Sequence, residues 1–386
     1  MSESKETEII APVGKLAGQL TVPGDKSVGH RALMMGACAK GDTVIRNLPS
    51  GLDNLSTREV LRTLGVVIED ENPAEVIVHG TGGRGFVTPE SDLDCGNSGT
   101  TMRLMTGLLA GQGVACTLTG DASLSARPMG RVTKPLNEMG YDVKATGEGQ
   151  RPPVVIEPTD VDPSEFTYAS PVASAQVKSC ILLASLRSPF DVVITEPAPS
   201  RDHTEQMLRY LGYRVETSSN YYQHDGQRTY VRLFGHDDFV PAARPITVPG
   251  DISSAAFFLV AAALTQSDQL LLESVSINPT RTGILDVLRA MGVKTELSNR
   301  RVLPGNEAVA DLRVIPGPLS GATIGGDLIP RAIDEIPVLA VLATAATGDT
   351  VFDGIQELRV KESDRVETTS KLLQAAGCRV DSDEST

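Results

Sequence analysis

The sequence contains no tryptophan, and all aromatic residues together make up only 4% of its 386 residues. Proteins that bind single-stranded nucleic acid commonly stack bases on aromatic side chains. Basic residues are also outnumbered, with 35 lysines and arginines against 49 aspartates and glutamates and a formal net charge of −14. Binding to nucleic acid or to an anionic membrane normally needs the opposite balance. We therefore predict neither partner, whereas a small anionic ligand needs only a local cluster of basic residues.

Motifs for metals, disulfides and nucleotides are also missing. The five cysteines are far apart without a Cys-x-x-Cys pair, and the five histidines show no metal-ligand spacing. No Walker P-loop is present, and no Gly-x-Gly-x-x-Gly sequence follows a predicted strand. The sequence therefore predicts reduced thiols and implies no metal ion or other cofactor.

Long hydrophobic segments are absent as well. The longest apolar run, Ala255–Leu264, is too short to span a bilayer. The first ten residues lack the basic and apolar regions of a secretory signal. We therefore predict a cytoplasmic protein.

What the sequence does contain is an internal repeat. Apolar residues at helical spacing, then a glycine, then an alternating strand pattern occur five times, with the glycines 72 to 85 residues apart. Glycine just past a helix is typical of a position that needs a positive φ angle. The five glycines are Gly65, Gly140, Gly212, Gly292 and Gly377.

A second repeated unit precedes each of these copies, and consists of a polar turn, an apolar helix and a strand. Its clearest pair is residues 21–48 and 247–275, which both open with Thr-Val-Pro-Gly-Asp. Together the two units predict β-α-β-α-β-β modules of an α/β fold. Three modules before about residue 240 and two after it predict a pseudo-symmetric two-domain protein with five of six modules present.

The turn at residues 23–31, Pro-Gly-Asp-Lys-Ser-Val-Gly-His-Arg, is the first candidate for ligand binding. Lys26 and Arg31 flank a predicted helix N-terminus, where free N–H groups and the helix dipole favour anions, and Ser27 is the predicted cap. The related turn at residues 249–258 has Ile252 in place of Lys26. Because the repeat does without this lysine, a binding role is favoured over a folding role.

Other motifs also place polar groups at predicted helix starts. Residues 95–103 contain two glycines that would let the backbone approach an anion, although a simple capped turn explains them equally well. Arg127 precedes Pro128, the predicted first residue of a helix, and a bound anion would explain a cation there. The remaining candidates, for which capping is the alternative, are Ser174, Gln176, Arg201 and Asp334.

Residues 359–365, Arg-Val-Lys-Glu-Ser-Asp-Arg, concentrate charge in one turn region. On a helix Glu362 and Arg365 would share a face, as in an ordinary solvated salt-bridge surface. Taken together, helix-opening turns that face a shared cleft would bind a multiply charged anion within an acidic protein.

These motifs, in this order and over essentially the whole chain, resemble those of the enolpyruvyl transferases, in particular the branch that acts on shikimate 3-phosphate. The resemblance implies an inside-out α/β barrel in each of two domains, residues 21–243 and residues 1–20 with 244–386. It implies transfer of the enolpyruvyl group of phosphoenolpyruvate to the 5-hydroxyl of shikimate 3-phosphate, with release of phosphate. It further implies a cofactor-free monomer of aromatic amino-acid biosynthesis.

The resemblance also implies a role for each site residue. Asp334 would take the proton of the 5-hydroxyl, Glu362 or Lys361 would exchange the proton of the methylene carbon, and Lys26 would assist catalysis. Shikimate 3-phosphate would be bound by Lys26, Ser27, Arg31, Ser174, Ala175, Gln176, Arg201, Asp334 and Lys361. Phosphoenolpyruvate would be bound by Lys26, Gly99, Arg127, Gln176 and Arg365.

Two departures from the family pattern stand out. Gly29 replaces a usual serine, which we expect to have little effect. The sixth module, with an Asp-x-x-His-Arg motif and a later lysine that contact phosphoenolpyruvate, is absent. A truncated homologue that only binds shikimate 3-phosphate is therefore an alternative. The branch that acts on UDP-N-acetylglucosamine is less favoured, because the loop at residues 120–126 lacks the reactive cysteine of that branch.

Overall fold

The computed structural model describes residues 11, 13–72, 75–82, 85–159, 161, 165–223, 226–236, 239–361 and 363–386. Within these ranges the strands, in chain order, are β1 (Ala17–Thr21), β2 (Lys40–Arg46), β3 (Val67–Asn72), β4 (Glu75–Thr81), β5 (Leu93–Asp94), β6 (Cys116–Thr119), β7 (Asp142–Gly147), β8 (Arg151–Glu157), β9 (Phe166–Ala169), β10 (Val192–Glu196), β11 (Val215–Gln223), β12 (Gly226–Leu233), β13 (Ile246–Thr247), β14 (Gln269–Ser276), β15 (Lys294–Val302), β16 (Ala308–Ile315), β17 (Thr323–Ile324) and β18 (Val351–Phe352).

The helices lie between these strands. They are α1 (Lys26–Cys38), α2 (Leu52–Thr63), α3 (Gly99–Gln112), α4 (Ala122–Ser125), α5 (Gly130–Glu138), α6 (Ala175–Ala184), α7 (His203–Tyr210), α8 (Ile252–Leu264), α9 (Gly283–Ala290), α10 (Leu328–Ala332), α11 (Ile336–Ala343) and α12 (Arg365–Ala375), with a 3₁₀ helix at Gln356–Val360.

Four of the sheets repeat one arrangement. An outer strand pairs in parallel with the next strand, which then joins an antiparallel hairpin, in the orders β13-β2-β4-β3, β5-β6-β8-β7, β9-β10-β12-β11 and β1-β14-β16-β15. The fifth unit forms the parallel pair β17-β18. The repeat therefore confirms the predicted α/β modules.

The repeat glycines behave as predicted at the helix ends. All five have φ angles between 85° and 100°. An edge strand follows the first four, but the strand predicted after Gly377 is wrong, because residues 378–386 form no strand. In the other four modules this edge strand pairs with the strand that comes after it. The carbonyl of Ser385 instead accepts hydrogen bonds from the N–H groups of Gly354 and Ile355.

Two crossovers exchange strands between the halves of the molecule. Strand β1 pairs with β14, far along the chain, and β13 pairs with β2. Beside these strands the backbone N–H of Asp25 donates to Pro249 O at 2.8 Å, and that of Asp251 donates to Pro23 O at 2.9 Å. This reciprocal pairing gives the two-domain fold its pseudo-symmetry.

Two separate hydrophobic cores lie on either side of the crossovers. The first is built around the buried helices α1, α3 and α6, and the second around α8, α9 and α11. In α1 every residue from Val28 to Cys38 is buried, and only the first turn of the helix retains exposed side chains. None of the helices in the described ranges has both the length and the apolar character needed to cross a membrane.

Candidate active site

The Pro-Gly-Asp turn leads directly into the first turn of α1. The carboxylate of Asp25 accepts a hydrogen bond from the Val28 N–H at 2.9 Å, so Asp25 is the cap of this helix and the prediction of Ser27 as the cap is wrong. A side chain at Gly24 would meet Asn47 O at 2.0 Å, which explains why glycine occupies the turn. Ser27 is half-buried in the first turn of α1, as a binding residue requires.

Lys26 and Arg31 have very different surroundings on α1. The Lys26 ammonium lies 2.7 Å from Asp53 on an open surface. Arg31 is buried, and its guanidinium donates to the hydroxyls of Thr204 and Ser179, both at 2.6 Å. Burial lowers the pKa of Arg31 to about 10, so the side chain remains a cation at neutral pH.

Gly99 is the first residue of α3, and it lies against two arginines. A Cβ atom at this position would be 2.9 Å from Arg103 Nη1 and 3.2 Å from Arg127 Nη1. Arg127 donates to the side-chain oxygen of Asn97 at 2.7 Å. The helix predicted to start at Pro128 in fact starts at Gly130, so Arg127 lies in the turn before it.

The start of α6 carries the next group of predicted residues. Ser174 caps the helix through Val177 N–H, Ala175 is its first residue, and both are half-buried. The Gln176 side chain donates to Thr100 Oγ1 at 3.1 Å and accepts a hydrogen bond from Arg103 at 3.0 Å.

Arg103 was missed in the sequence, although it ends the motif at residues 95–103. It lies one turn into α3, where nothing in the local pattern distinguishes it from a surface arginine. The structure places it between Gly99 and Gln176, which the sequence assigned to phosphoenolpyruvate.

Asp334 is the point at which distant motifs meet. Arg201 donates to its Oδ2 atom, and Arg365 Nη1 lies 3.0 Å from its Oδ1 atom. Arg281 Nη1 lies 3.5 Å from Oδ2. Burial by itself would raise the pKa of Asp334, but Arg201, Arg281 and Lys361 hold it well below its ordinary value. The group is therefore a carboxylate over the whole working range of pH.

The charged motif at residues 359–365 is not a single helix, and the helix face predicted to be shared by Glu362 and Arg365 falls on a residue outside the described ranges. A 3₁₀ helix ends before Lys361, and α12 begins at Arg365 with Asp364 as its cap. Because α12 starts at Arg365, this arginine reaches Asp334. Lys361 Nζ lies 3.9 Å from Glu357. Glu362 lies outside the described residues.

Buried carboxylates surround the start of α11. Glu335 precedes the helix and accepts a hydrogen bond from the Ser253 hydroxyl, and burial raises the pKa of Glu335 above its ordinary value. Arg281, just before α9, faces Asp334 and Glu335 together. No signal in the sequence pointed to Arg281, because it lies in a plain turn outside the motifs described above.

The fold, with two cores joined by exchanged strands and with arginines from several helix starts meeting at Asp334, defines the enolpyruvyl transferase class. An enolpyruvyl transferase from Streptomyces tendae superposes with a TM-score of 0.66 over 88% of this chain and 75% of its own, and at 18% identity this shows the fold alone.

Closer relatives specify the family. Residues 10–386 match the model of EPSP synthase (3-phosphoshikimate 1-carboxyvinyltransferase). The 3-phosphoshikimate 1-carboxyvinyltransferase of Hydrogenovibrio crunogenus is 47% identical over 95% of this chain and 81% of its own length, and that of Synechocystis is 48% identical over 95% and 79%. EPSP synthase from Acinetobacter baumannii superposes with a TM-score of 0.83 at 44% identity, over 97% of this chain and 82% of its own. The chain belongs to the EPSP synthase family and is a transferase.

Proposed function

We propose that the chain transfers the 1-carboxyvinyl group of phosphoenolpyruvate to the 5-hydroxyl of shikimate 3-phosphate and releases phosphate. The observation that carries this proposal is the meeting of Arg201 and Arg365 at the Asp334 carboxylate. Two cations next to one permanently ionised base suit a reaction between two multiply charged anions.

The first turn of α1 holds the phosphate of shikimate 3-phosphate in this proposal. Lys26, Ser27 and Arg31 supply an ammonium, a hydroxyl and a buried guanidinium beside the N-terminus of α1. The ring hydroxyls are bound by Ser174, Ala175 and Gln176 at the start of α6 and by Arg201, Asp334 and Lys361.

The phosphoenolpyruvate subsite lies around the start of α3. Gly99 leaves space in front of Arg127, and the Arg103 to Gln176 hydrogen bond fixes the neighbouring amide. Lys26, whose partner Asp53 accepts a hydrogen bond from Thr101 of α3, adds positive charge from the same half of the molecule, and Arg365 adds it from the other half. A carboxylate and a phosphate both favour planar guanidinium partners, which explains the predominance of arginine.

The proposed reaction proceeds by addition and elimination. Asp334 accepts the proton of the 5-hydroxyl while the oxygen forms a bond to the enol carbon, and Lys361 or Glu362 protonates the methylene carbon to a methyl group. In the resulting adduct the bond to phosphate breaks, and the methyl group returns a proton to restore the double bond. Positioning and charge stabilisation by the arginines supply most of the rate enhancement.

The test is phosphate release by the 386-residue chain with both substrates, either substrate alone, and neither. We expect release only with both, and a loss of about 10²-fold or more in kcat for Asp334→Asn, because a general base contributes 10²–10⁴-fold. Asp286→Asn is the matched control, since Asp286 also pairs with two arginines, Arg289 and Arg331, but outside the site. Binding of shikimate 3-phosphate without release would support a binding-only protein instead.

The domain division, the cytoplasmic location and the monomeric state remain predictions that we include in the proposal. The two hydrophobic cores support a division near the crossovers. The pairing of Ile246–Thr247 with β2 supports a second boundary close to the predicted position at 243/244.

A further inference from the structure

Arg281 has no role in the proposed reaction, yet its side chain faces several carboxylates. Its side chain is only 4% exposed. Its Nη2 atom donates to Asp251 at 3.2 Å and to the Ser253 hydroxyl at 2.7 Å, and lies 3.9 Å from both Asp25 and Glu335. Its Nη1 atom faces Asp334 at 3.5 Å. One guanidinium therefore faces four carboxylates.

The partners of Arg281 belong to the parts of the chain that join the two halves. Asp25 and Asp251 cap α1 and α8, and their backbone N–H groups form the reciprocal hydrogen bonds between the crossovers. Asp334 lies just before α11. The guanidinium thus connects both crossovers to the proposed base.

We propose that Arg281 is a positioning residue, which fixes the Asp334 carboxylate relative to the paired crossovers and hence to the first turn of α1. The catalytic consequence rests on the proposed function of Asp334. A planar guanidinium can contact carboxylates in two directions at once, and an ammonium cannot do so in the same fixed geometry.

Arg281 helps to keep the pKa of Asp334 low, but orientation is the contribution that the other cations around Asp334 do not replace. Among the residues that the structure describes, the other charged groups that face this carboxylate are Arg201, Arg365 and Lys361, with Glu335 as its acidic neighbour. Three cations therefore remain when Arg281 is replaced, and Asp334 stays ionised. A buried ion cluster is also a costly way to gain stability alone, which favours a role in geometry.

The experiment compares Arg281→Gln and Arg281→Lys with Arg331→Gln as the matched control. Arg331 also pairs with an aspartate, Asp286, but lies outside the cluster. For both Arg281 variants we expect kcat to fall about 10²-fold, because small misplacements of reacting groups have effects of that size. We expect the Kd for shikimate 3-phosphate, measured by calorimetry, to change less than about threefold. Loss of affinity in parallel with kcat would indicate a purely structural role and would overturn the proposal.

Amide hydrogen exchange gives a readout that does not depend on turnover. The N–H groups of Asp25 and Asp251 bond across the crossovers, and that of Leu339 closes the first turn of α11 onto Glu335 O. We expect these three amides to exchange at least about tenfold faster in Arg281→Lys, with no such change in Arg331→Gln. If Arg281→Gln does not fold, the comparison of Arg281→Lys with Arg331→Gln tests the positioning role by itself.

The two proposals can fail separately. If the unmodified chain releases no phosphate, the proposed function fails, and the three amides still decide whether Arg281 holds the crossovers and the start of α11 together. If the chain is active but the folded Arg281 variants keep normal kcat or normal exchange, the positioning role is wrong.

Discussion

The first turns of α1 and α8 are two versions of one structure with different uses. Both helices follow Val-Pro-Gly-Asp, both are capped by the aspartate of that turn, and both begin at a crossover. Lys26 in α1 corresponds to Ile252 in α8, and Arg31 corresponds to Phe257. The two helices share the turn and the aspartate cap, whereas only α1 carries the lysine and the arginine.

Burial explains how each version tolerates its side chains. The Lys26 side chain is 53% exposed, whereas Ile252 is completely buried in the second core. Arg31 is buried among hydroxyls that accept its hydrogen bonds, whereas Phe257 is 65% exposed. The comparison teaches that the turn and cap serve the fold, whereas the side chains of the α1 turn are free to serve the phosphate binding that we propose.

The largest expected effect follows from removing the cation that distinguishes α1. Arg31→Leu should weaken shikimate 3-phosphate binding by about 2–5 kcal/mol, or roughly 30-fold and more, because it removes a buried charged partner of the ligand. Calorimetry on the folded variant gives the value. Phe257→Leu, at the corresponding position of α8, is the control and should leave the affinity within about twofold. Equal losses in both would contradict the assignment of binding to α1.

Exchanging the first residues of the two helices separates folding from binding. Ile252→Lys should lower the free energy of unfolding by at least about 3 kcal/mol, because it places an ammonium group in an apolar core. Lys26→Ile should change it by about 1 kcal/mol or less, since the exposed pair with Asp53 contributes little. Urea unfolding measures both. Lys26→Ile should nevertheless reduce phosphate release, and normal turnover in this variant would remove Lys26 from the site.

The features that the sequence predicted are those that recur or stand at helix ends. The repeat glycines, the two related turns and the start of the apolar helix after Asp334 follow local rules of capping and periodicity. The cap of α1 was misassigned because Asp25 and Ser27 are both good caps, and only the fold decides between them.

What the sequence could not show is which distant groups meet. Arg201 and Asp334 are 133 residues apart in the sequence, and their contact depends on how the two halves pack together. Arg281 and Arg103 lie in ordinary contexts, and only their tertiary neighbours set them apart. Pairing over such distances comes from the crossovers, for which local periodicity contains no information.

The two capping aspartates should respond to pH in opposite directions. Burial would raise the pKa of Asp25, but His203, Arg281 and the Val28 N–H together lower it to about 2. Burial and the neighbouring Asp25 raise the pKa of Asp251, despite Arg281. Ionised Asp25 therefore stabilises the fold above its unfolded pKa near 3.8, and this contribution is lost as pH falls towards 2, whereas ionised Asp251 lowers stability at neutral pH.

Asparagine variants test this contrast, because asparagine keeps the capping oxygen. Asp25→Asn should lower the free energy of unfolding by roughly 2 kcal/mol at pH 6 and by clearly less at pH 3, where the stabilisation by ionised Asp25 is being lost. Asp251→Asn should be better tolerated at pH 6 than at pH 3, since it removes a charge that the folded state disfavours. Urea unfolding at both pH values measures the difference, and parallel pH profiles for the two variants would be inconsistent with it.

The smallest expected effect concerns Gly29, whose counterpart in α8 is the buried Ala255. A Cβ atom at Gly29 would lie 2.8 Å from Asn54 Nδ2, which donates to Lys26 O at 3.3 Å. The little effect expected for serine at this position therefore depends on whether Asn54 can move away. Gly29→Ser should cost about 1 kcal/mol through overpacking. Because Asn54 holds the backbone of Lys26, the KM for phosphoenolpyruvate should rise modestly. Ala255→Gly should cost about 1 kcal/mol or somewhat more in stability with no change in KM, since it removes helix propensity and a buried methyl group but changes no residue assigned to a ligand.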